Sequence, residues 1–99
     1  TLNDPVYLEA ALAFANLHSN KPYEDAIKDM FESATFRKLS GDKLNSLINL
    51  YNYSSDFYTK SPDGLNDFYL ENKKVSNKLA SLAIVASAIM NLDEFLTHG

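Results

Sequence analysis

The apolar residues of this chain recur with the spacing of an α-helix, and this periodicity restricts its fold more than any other feature. The clearest example is the segment KPYEDAIKDMFESATF, residues 21–36. Its apolar positions follow the i, i+3, i+4, i+7 pattern of one helix face: Tyr23, Ala26, Ile27, Met30, Phe31 and Ala34. No segment shows the alternating pattern of a half-buried strand. The chain is therefore predicted to be all-α.

Four main helices and one short helix are predicted, joined by short loops. Asp4 and Pro5 are typical of a helix start, and Ser40 and Ser76 have the side chain of an N-cap. The predicted ranges are 5–18, 22–36, 41–59, 61–71 and 77–91, the last with a further turn through residue 95. We expect one compact helical bundle, a single domain over residues 1–99.

The first predicted helix is unusually apolar. Only Glu9 and Asn16 are strongly polar in its body, and they lie seven residues apart on one face. Such a helix is normally buried nearly all round. We therefore expect it either to be the central helix of the bundle or to dock part of its surface on something outside this chain.

The third helix carries two apolar stripes, which predict two packing neighbours. One stripe consists of Leu44, Leu47, Ile48, Tyr51 and Tyr58, and the other of Leu50, Tyr53 and Phe57. The short helix after it is predicted to turn Leu65, Phe68 and Tyr69 inward, and the segment NKKVS, residues 72–76, is predicted to be a loop.

Composition excludes several classes of function. The net charge is −4 and the basic residues are scattered, whereas a nucleic-acid binder gathers positive charge on one surface. No cysteine is present, so this segment cannot form a disulfide or attach a c-type haem. The apolar run at residues 79–92 is shorter than the roughly 20 residues that cross a bilayer.

No sequence motif indicates catalysis or a metal centre. His18 and His98 are the only histidines, and neither lies in an HxxxH or HExxH pattern. The three glycines form no phosphate-binding loop, and no GxSxG segment occurs. Asp93 and Glu94 are adjacent, so on a helix their side chains would point about 100° apart rather than towards one substrate atom. We expect no catalytic residue, no metal and no cofactor in this segment.

Aromatic residues are concentrated in one third of the chain. Those between residues 51 and 69 are Tyr51, Tyr53, Phe57, Tyr58, Phe68 and Tyr69. They could line a groove for a sugar or another ring, but most lie on helical stripes, which favours the bundle core. Both interpretations remain open at this stage.

The chain ends in MNLDEFLTHG, where polar residues follow a long apolar run. Asn91 and Asp93 come where the last helix must end or restart, and such side chains bond free backbone groups at helix ends. Arg37 has a guanidinium that can form a forked pair with a carboxylate. We hypothesise that it pairs with Asp93 or Glu94 and ties the end of the second helix to the end of the chain.

Three stretches together resemble one known family. They are LNDPVYLEAA at 2–11, MFESATFRKLSGDKLNSLINLY at 30–51 and LASLAIVASAIMNLDEFLT at 79–97. In this order they are similar to the C-terminal part of the planctomycete-type (PSD-type) cytochrome-associated proteins, the domain-of-unknown-function family fifteen-fifty-three. The middle stretch departs from the family pattern, since Leu39 stands where a proline is usual and Lys43 where a glutamate is usual. The reciprocal bond of a capping box is then lost at Ser40.

The resemblance implies a non-catalytic C-terminal module of a larger exported protein, located in the periplasm or outside the cell. An upstream region with a haem c would precede this segment, and the first helix would dock on those upstream domains. The recurring polar residues of the family would be structural here: Asp4, Glu9, Arg37, Asn91, Asp93 and Glu94. Two alternatives remain, a stand-alone acidic helical interaction protein and a sugar- or small-molecule-binding domain that uses residues 51–69.

Overall fold

The elements of the fold confirm the predicted all-α class. A computed structural model of the chain describes the backbone of residues 5–92 and the side chains of residues 8–92. The elements are α1 (Pro5–Asn16), α2 (Tyr23–Thr35), α3 (Gly41–Lys60), a 3-10 helix (Pro62–Leu65), β1 (Tyr69–Leu70), β2 (Lys73–Lys74) and α4 (Asn77–Met90). The radius of gyration is 12.8 Å, close to the ~13 Å of a compact chain of this length.

Helix α2 packs through the face that its periodicity predicts. Ala26, Ile27, Met30 and Phe31 are buried, and Tyr23 and Ala34 are half-buried at the edge of the core. The helix ends at Phe36, whose backbone adopts the left-handed conformation and whose N–H donates to the carbonyl of Glu32. The opposite face carries the charged residues, so the amphipathic pattern predicts which face of α2 is buried in the bundle.

Helix α4, rather than α1, is the centre of the bundle. It contacts α1, α2 and α3, and its residues from Leu79 to Val85 are buried with the exception of half-buried Ile84. Small residues let the three neighbours approach closely, since Ala80, Ala83 and Ala86 have no exposed surface. Of the two alternatives predicted for α1, the structure therefore excludes the central position, because only one side of α1 faces α4.

The serine caps of α3 and α4 lie where the sequence predicts them. Ser40 accepts a hydrogen bond from the Lys43 N–H at 3.3 Å, and Ser76 accepts one from the Leu79 N–H at 3.1 Å. Asn77 then ties α4 to α3, since its amide donates to the Ser55 carbonyl at 3.0 Å. The start of the central helix is thus held by both its own cap and its neighbour.

Helix α3 has the two packing neighbours that its two stripes predict, since it contacts both α2 and α4. Leu47, Tyr51 and Tyr58 of the first stripe are buried. Of the second stripe, only Leu50 packs against the core, whereas Tyr53 is 76% exposed and Phe57 is 50% exposed.

The predicted short helix over 61–71 is also wrong beyond Leu65. The 3-10 helix ends there, and the chain enters a small antiparallel hairpin in which Tyr69 pairs with Lys74 and Leu70 pairs with Lys73. Val75 donates its N–H to the Phe68 carbonyl at 3.3 Å and extends the pairing by one bond. The helix cannot continue because Glu71 and Asn72 adopt the left-handed conformation, which forms the tight two-residue turn of a hairpin.

Candidate functional site

One side of α1 presents apolar residues to solvent. Ala11, Leu12 and Ala15 are buried against the bundle, whereas Ala10 and Ala13 are exposed. The spacing of Ala10 and Ala13 places them in one row on the surface of α1. Leu17 lies in the turn just after the helix ends at Asn16 and is 73% exposed.

The hairpin lies beside this row and extends it. Strand β1 contacts α1, and Leu70 of this strand is half-buried against the core. The turn that follows has φ values of 53° at Glu71 and 66° at Asn72. Asparagine tolerates this left-handed conformation, but glutamate does so at a cost of about 1–2 kcal/mol. The turn therefore holds a carboxylate at the edge of α1 in a conformation that glutamate does not prefer.

Three depressions lie where α1 meets the hairpin, and together we call them the α1–hairpin groove. It consists of three adjoining pockets of about 330, 430 and 230 Å³. Glu9 borders the first and second pockets, Leu70 the second and third, and Glu71 the first and third. The remaining lining residues are Leu8, Ala10, Leu12, Ala13, Asn16, Asp67, Tyr69, Asn72, Lys73, Lys74, Val75, Ser76 and Leu79.

Replacing Glu71 with asparagine is expected to raise the free energy of unfolding by about 0.5–1 kcal/mol, because asparagine adopts the left-handed conformation more readily. Urea unfolding of the two proteins measures the difference. The matched control is Asp67→Asn, which removes the same charge beside the same pocket at a residue without positive φ. Equal changes in the two variants would show that charge, and not backbone conformation, is responsible.

The six aromatic residues of the predicted groove do not form one site. Tyr51 and Tyr58 belong to the core, and Tyr51 stacks on Tyr23 with ring centroids 4.3 Å apart. Phe68 packs edge-on against Tyr58 at 5.6 Å. Tyr69 is 48% exposed and lies at the α1–hairpin groove instead. The aromatic cluster of the sequence is thus divided between the core and two surfaces.

Tyr53 and Phe57 line a separate shallow pocket between α3 and α4. Its volume is about 220 Å³, and Ser54, Tyr58 and Ile84 complete its wall. Pockets that enclose drug-sized ligands typically measure about 300–1,000 Å³. This pocket is smaller than that range, so it offers two exposed rings rather than an enclosed site.

Three of the six polar residues proposed from the sequence, Asp4, Asp93 and Glu94, lie outside the described residues, and so does the hypothesised pairing of Arg37 with residue 93 or 94. Arg37 itself is exposed, and its backbone N–H donates to the Thr35 hydroxyl at 3.2 Å. Asn91 donates its side-chain amide to the Ser87 carbonyl at 2.9 Å, at the end of α4. Glu9 is exposed on α1 and borders the α1–hairpin groove.

A cluster of titratable groups joins α1 to α2. The Lys21 ammonium donates to the Asp29 carboxylate at 2.7 Å and lies 3.0 Å from Nδ1 of His18. The His18 ring also meets Phe14 edge-on, with centroids 5.9 Å apart. Burial, together with the Lys21 charge, lowers the pKa of His18, while Asp29 opposes this change. The hydrogen bond from Lys21 lowers the pKa of Asp29. The cluster ties the loop between the helices to α2, and the lowered pKa of His18 favours its neutral form.

Acidification is expected to destabilise the domain through His18. In the unfolded chain His18 has its ordinary pKa of 6.5 and binds a proton more readily than in the folded protein. Stability therefore falls as the pH drops below that value, and it rises again towards neutral pH. Denaturant midpoints at about pH 7.5 and pH 5.5 measure this in the wild type and in His18→Gln. A pH dependence of the same size in both proteins would contradict the assignment.

Within the part of the chain that the structure describes, no three His, Cys, Asp or Glu side chains are grouped so that they could hold a metal ion. Over the same residues, none of the helices combines the length and apolar character needed to span a membrane.

The residues that the sequence analysis missed are Ala10, Ala13, Leu70 and Glu71. The one local signal was the pair Glu71-Asn72 between two short runs, since asparagine favours a hairpin turn.

Comparisons with protein-family models, with curated proteins and with solved structures found no match for this chain.

Proposed function

We propose that this chain is a non-catalytic helical module that binds another protein through the α1–hairpin groove. The observation that carries the proposal is the exposed apolar row of Ala10 and Ala13 on α1 beside Leu70. Apolar surface removed from water contributes roughly 25 cal/mol per Å² to association. Contiguous exposed apolar patches on soluble proteins commonly mark interaction sites. The groove gives such a partner a concave surface rather than a flat one.

The resemblance to the PSD-type family supports a particular setting for this module. In that setting the chain is the C-terminal part of a larger exported, cytochrome c-associated protein in the periplasm or outside the cell. The groove would then receive the upstream domains of the same protein. A haem c would lie in that upstream region, because these 99 residues contain no cysteine for its thioether bonds.

Binding in trans tests the proposal. The upstream part encoded by the same reading frame is produced separately and titrated with this chain by isothermal calorimetry. Ala13→Asp is expected to weaken binding by about tenfold or more, because it places a charge in the groove. The matched control is Asn49→Asp on the exposed surface of α3. An unchanged affinity in Ala13→Asp would contradict docking through the groove, and a frame that encodes no other domain would contradict the setting in a larger protein.

A second candidate function is the binding of a sugar or another flat ligand. The observation that favours it is the pair of exposed rings, Tyr53 and Phe57, at the pocket between α3 and α4. Aromatic faces provide stacking surfaces of this type. A rise in melting temperature with a monosaccharide or glycan panel, absent in Tyr53→Ala, would support this function. No shift with any member of the panel would count against it.

A further inference from the structure

An apolar pocket lies between α1 and α2 on the surface of α4, and we call it the α1–α2 cleft. Both helices pack on α4 but contact each other far less, so a gap remains between them. The cleft has a volume of about 210 Å³ and is lined by Phe14, Ser33, Ala34 and Met90. The Ser33 hydroxyl donates to the Met30 carbonyl of its own helix at 3.2 Å, so the surface left for a ligand is mainly apolar.

The size of the α1–α2 cleft suits one large side chain. Pockets that enclose drug-sized ligands typically measure about 300–1,000 Å³, and the cleft is smaller than this range. Its walls come from three different helices, so a single inserted side chain would touch all three. An aromatic ring brings a large apolar area on one residue, and this area gains free energy by leaving water. The cleft therefore favours an aromatic anchor.

The chain leaves α4 beside this cleft. The helix ends at Met90, which is itself a lining residue, and the Leu92 N–H then donates to the Ile89 carbonyl at 3.0 Å. Leu92 is half-buried against the core, so the chain still contacts the bundle at this point. Phe95 follows Met90 by five positions, a span of at most about 18 Å. Its ring is thus within reach of the cleft.

Opposite charges follow two walls of the cleft at equal spacing. The basic pair Arg37 and Lys38 comes three and four positions after Ala34 of α2. The acidic pair at residues 93–94 comes three and four positions after Met90 of α4. Arg37 and Lys38 are exposed, and among the described residues no carboxylate forms an ion pair with either. The segment after α4 therefore complements both the apolar cleft and the charges that follow α2.

We propose that the Phe95 side chain occupies the α1–α2 cleft and that the acidic pair before it meets the basic pair after α2. The segment over residues 93–96 then acts as a strap that ties α1, α2 and α4 together. Phe95 is the anchor rather than Leu96, because its ring offers the larger apolar area. This inference is independent of the proposed function, since the cleft shares no lining residue with the α1–hairpin groove.

Nuclear Overhauser effects in the 99-residue chain test this arrangement. The Phe95 ring is expected to give cross-peaks to the methyl groups of Ala34 and Met90. A mixture of isotope-labelled and unlabelled chain separates contacts within one molecule from contacts between two. Absence of these cross-peaks would overturn the proposal. Cross-peaks that arise only between molecules would also overturn it and would identify a second copy of the chain as the occupant.

Thiol labelling measures how well the cleft is covered. The chain has no cysteine, so Ala34→Cys places a single thiol on the cleft wall. Maleimide labelling is expected to become about tenfold faster when Phe95→Ala is added, and to stay unchanged with Leu96→Ala. Arg37→Glu is expected to accelerate it by about threefold, because it repels the acidic pair. Asn49→Cys on the exposed surface of α3 is the control and is expected to react equally fast in every background.

The two variants of the strap keep this test decisive. Equal labelling at position 34 with and without the Phe95 ring would overturn the proposal. An acceleration by Leu96→Ala as large as that by Phe95→Ala would overturn the assignment of Phe95 as the anchor, since both would then act by a general loss of stability. Neither result bears on docking through the α1–hairpin groove, which the titration with the upstream part decides.

Discussion

Ala83→Asp is expected to destabilise the domain strongly at neutral pH. Ala83 has no exposed surface and lies in the middle of α4, the helix that α1, α2 and α3 all contact. An aspartate there must either bury an unpaired carboxylate or force the surrounding helices apart, and we expect a cost of about 4 kcal/mol or more. A domain of this size has a total stability of roughly 5–15 kcal/mol, so a large part of it would be lost.

The matched control is Ala13→Asp on α1, where the same replacement is made at an exposed alanine. Its expected cost is that of helix propensity, about 0.7 kcal/mol or less. Circular dichroism during thermal and urea unfolding measures both variants. If the two substitutions are equally damaging, α1 is buried on both sides and the exposed row that supports the docking function does not exist in solution.

Tyr58→Ala has the second largest expected effect, a loss of about 3 kcal/mol in the free energy of unfolding. Tyr58 is only 8% exposed, and it meets both Phe57 and Phe68 edge-on. Its ring also lies close to Gly64, where a Cβ atom would come within 3.1 Å of it. Removing the ring would therefore leave a cavity under the 3-10 helix as well as at the α3–α4 interface.

Tyr53→Ala is the control for this prediction, because it removes the same side chain five residues earlier on the same helix. With Tyr53 76% exposed, the expected change is within about 0.5 kcal/mol. Urea unfolding of the two variants under identical conditions gives the comparison. A loss at Tyr53 as large as that at Tyr58 would mean that the second stripe of α3 is buried in solution.

The sequence predicted the parts of the fold that local patterns control. The amphipathic pattern of α2 determined its buried face, and Ser40 and Ser76 marked the starts of α3 and α4. It did not distinguish the central helix from an outer one, because α1 and α4 are both apolar around most of their circumference. That choice depends on how many neighbours surround each helix, which is a property of the tertiary arrangement.

The candidate site was largely beyond sequence analysis. The groove joins Ala10 and Ala13 of α1 to Leu70 of the hairpin, some 60 positions along the chain, and no local pattern brings them together. The first helix was nevertheless expected either to be central or to dock part of its surface elsewhere. The structure excludes the first of these, and the exposed row of α1 supports the second as a proposal.

Protection of residue 13 in the complete protein tests the central claim most directly. The chain has no cysteine, so Ala13→Cys introduces a single thiol in the groove and Asn49→Cys introduces one on the exposed surface of α3. Maleimide labelling rates of the peptide that carries residue 13 or 49 are measured by mass spectrometry in the isolated chain and in the full product of its reading frame, so that cysteines elsewhere in the full product do not contribute. We expect labelling at position 13 to slow by about tenfold or more in the full product, with position 49 unchanged. Equal rates at position 13 in the two proteins would contradict the docking function.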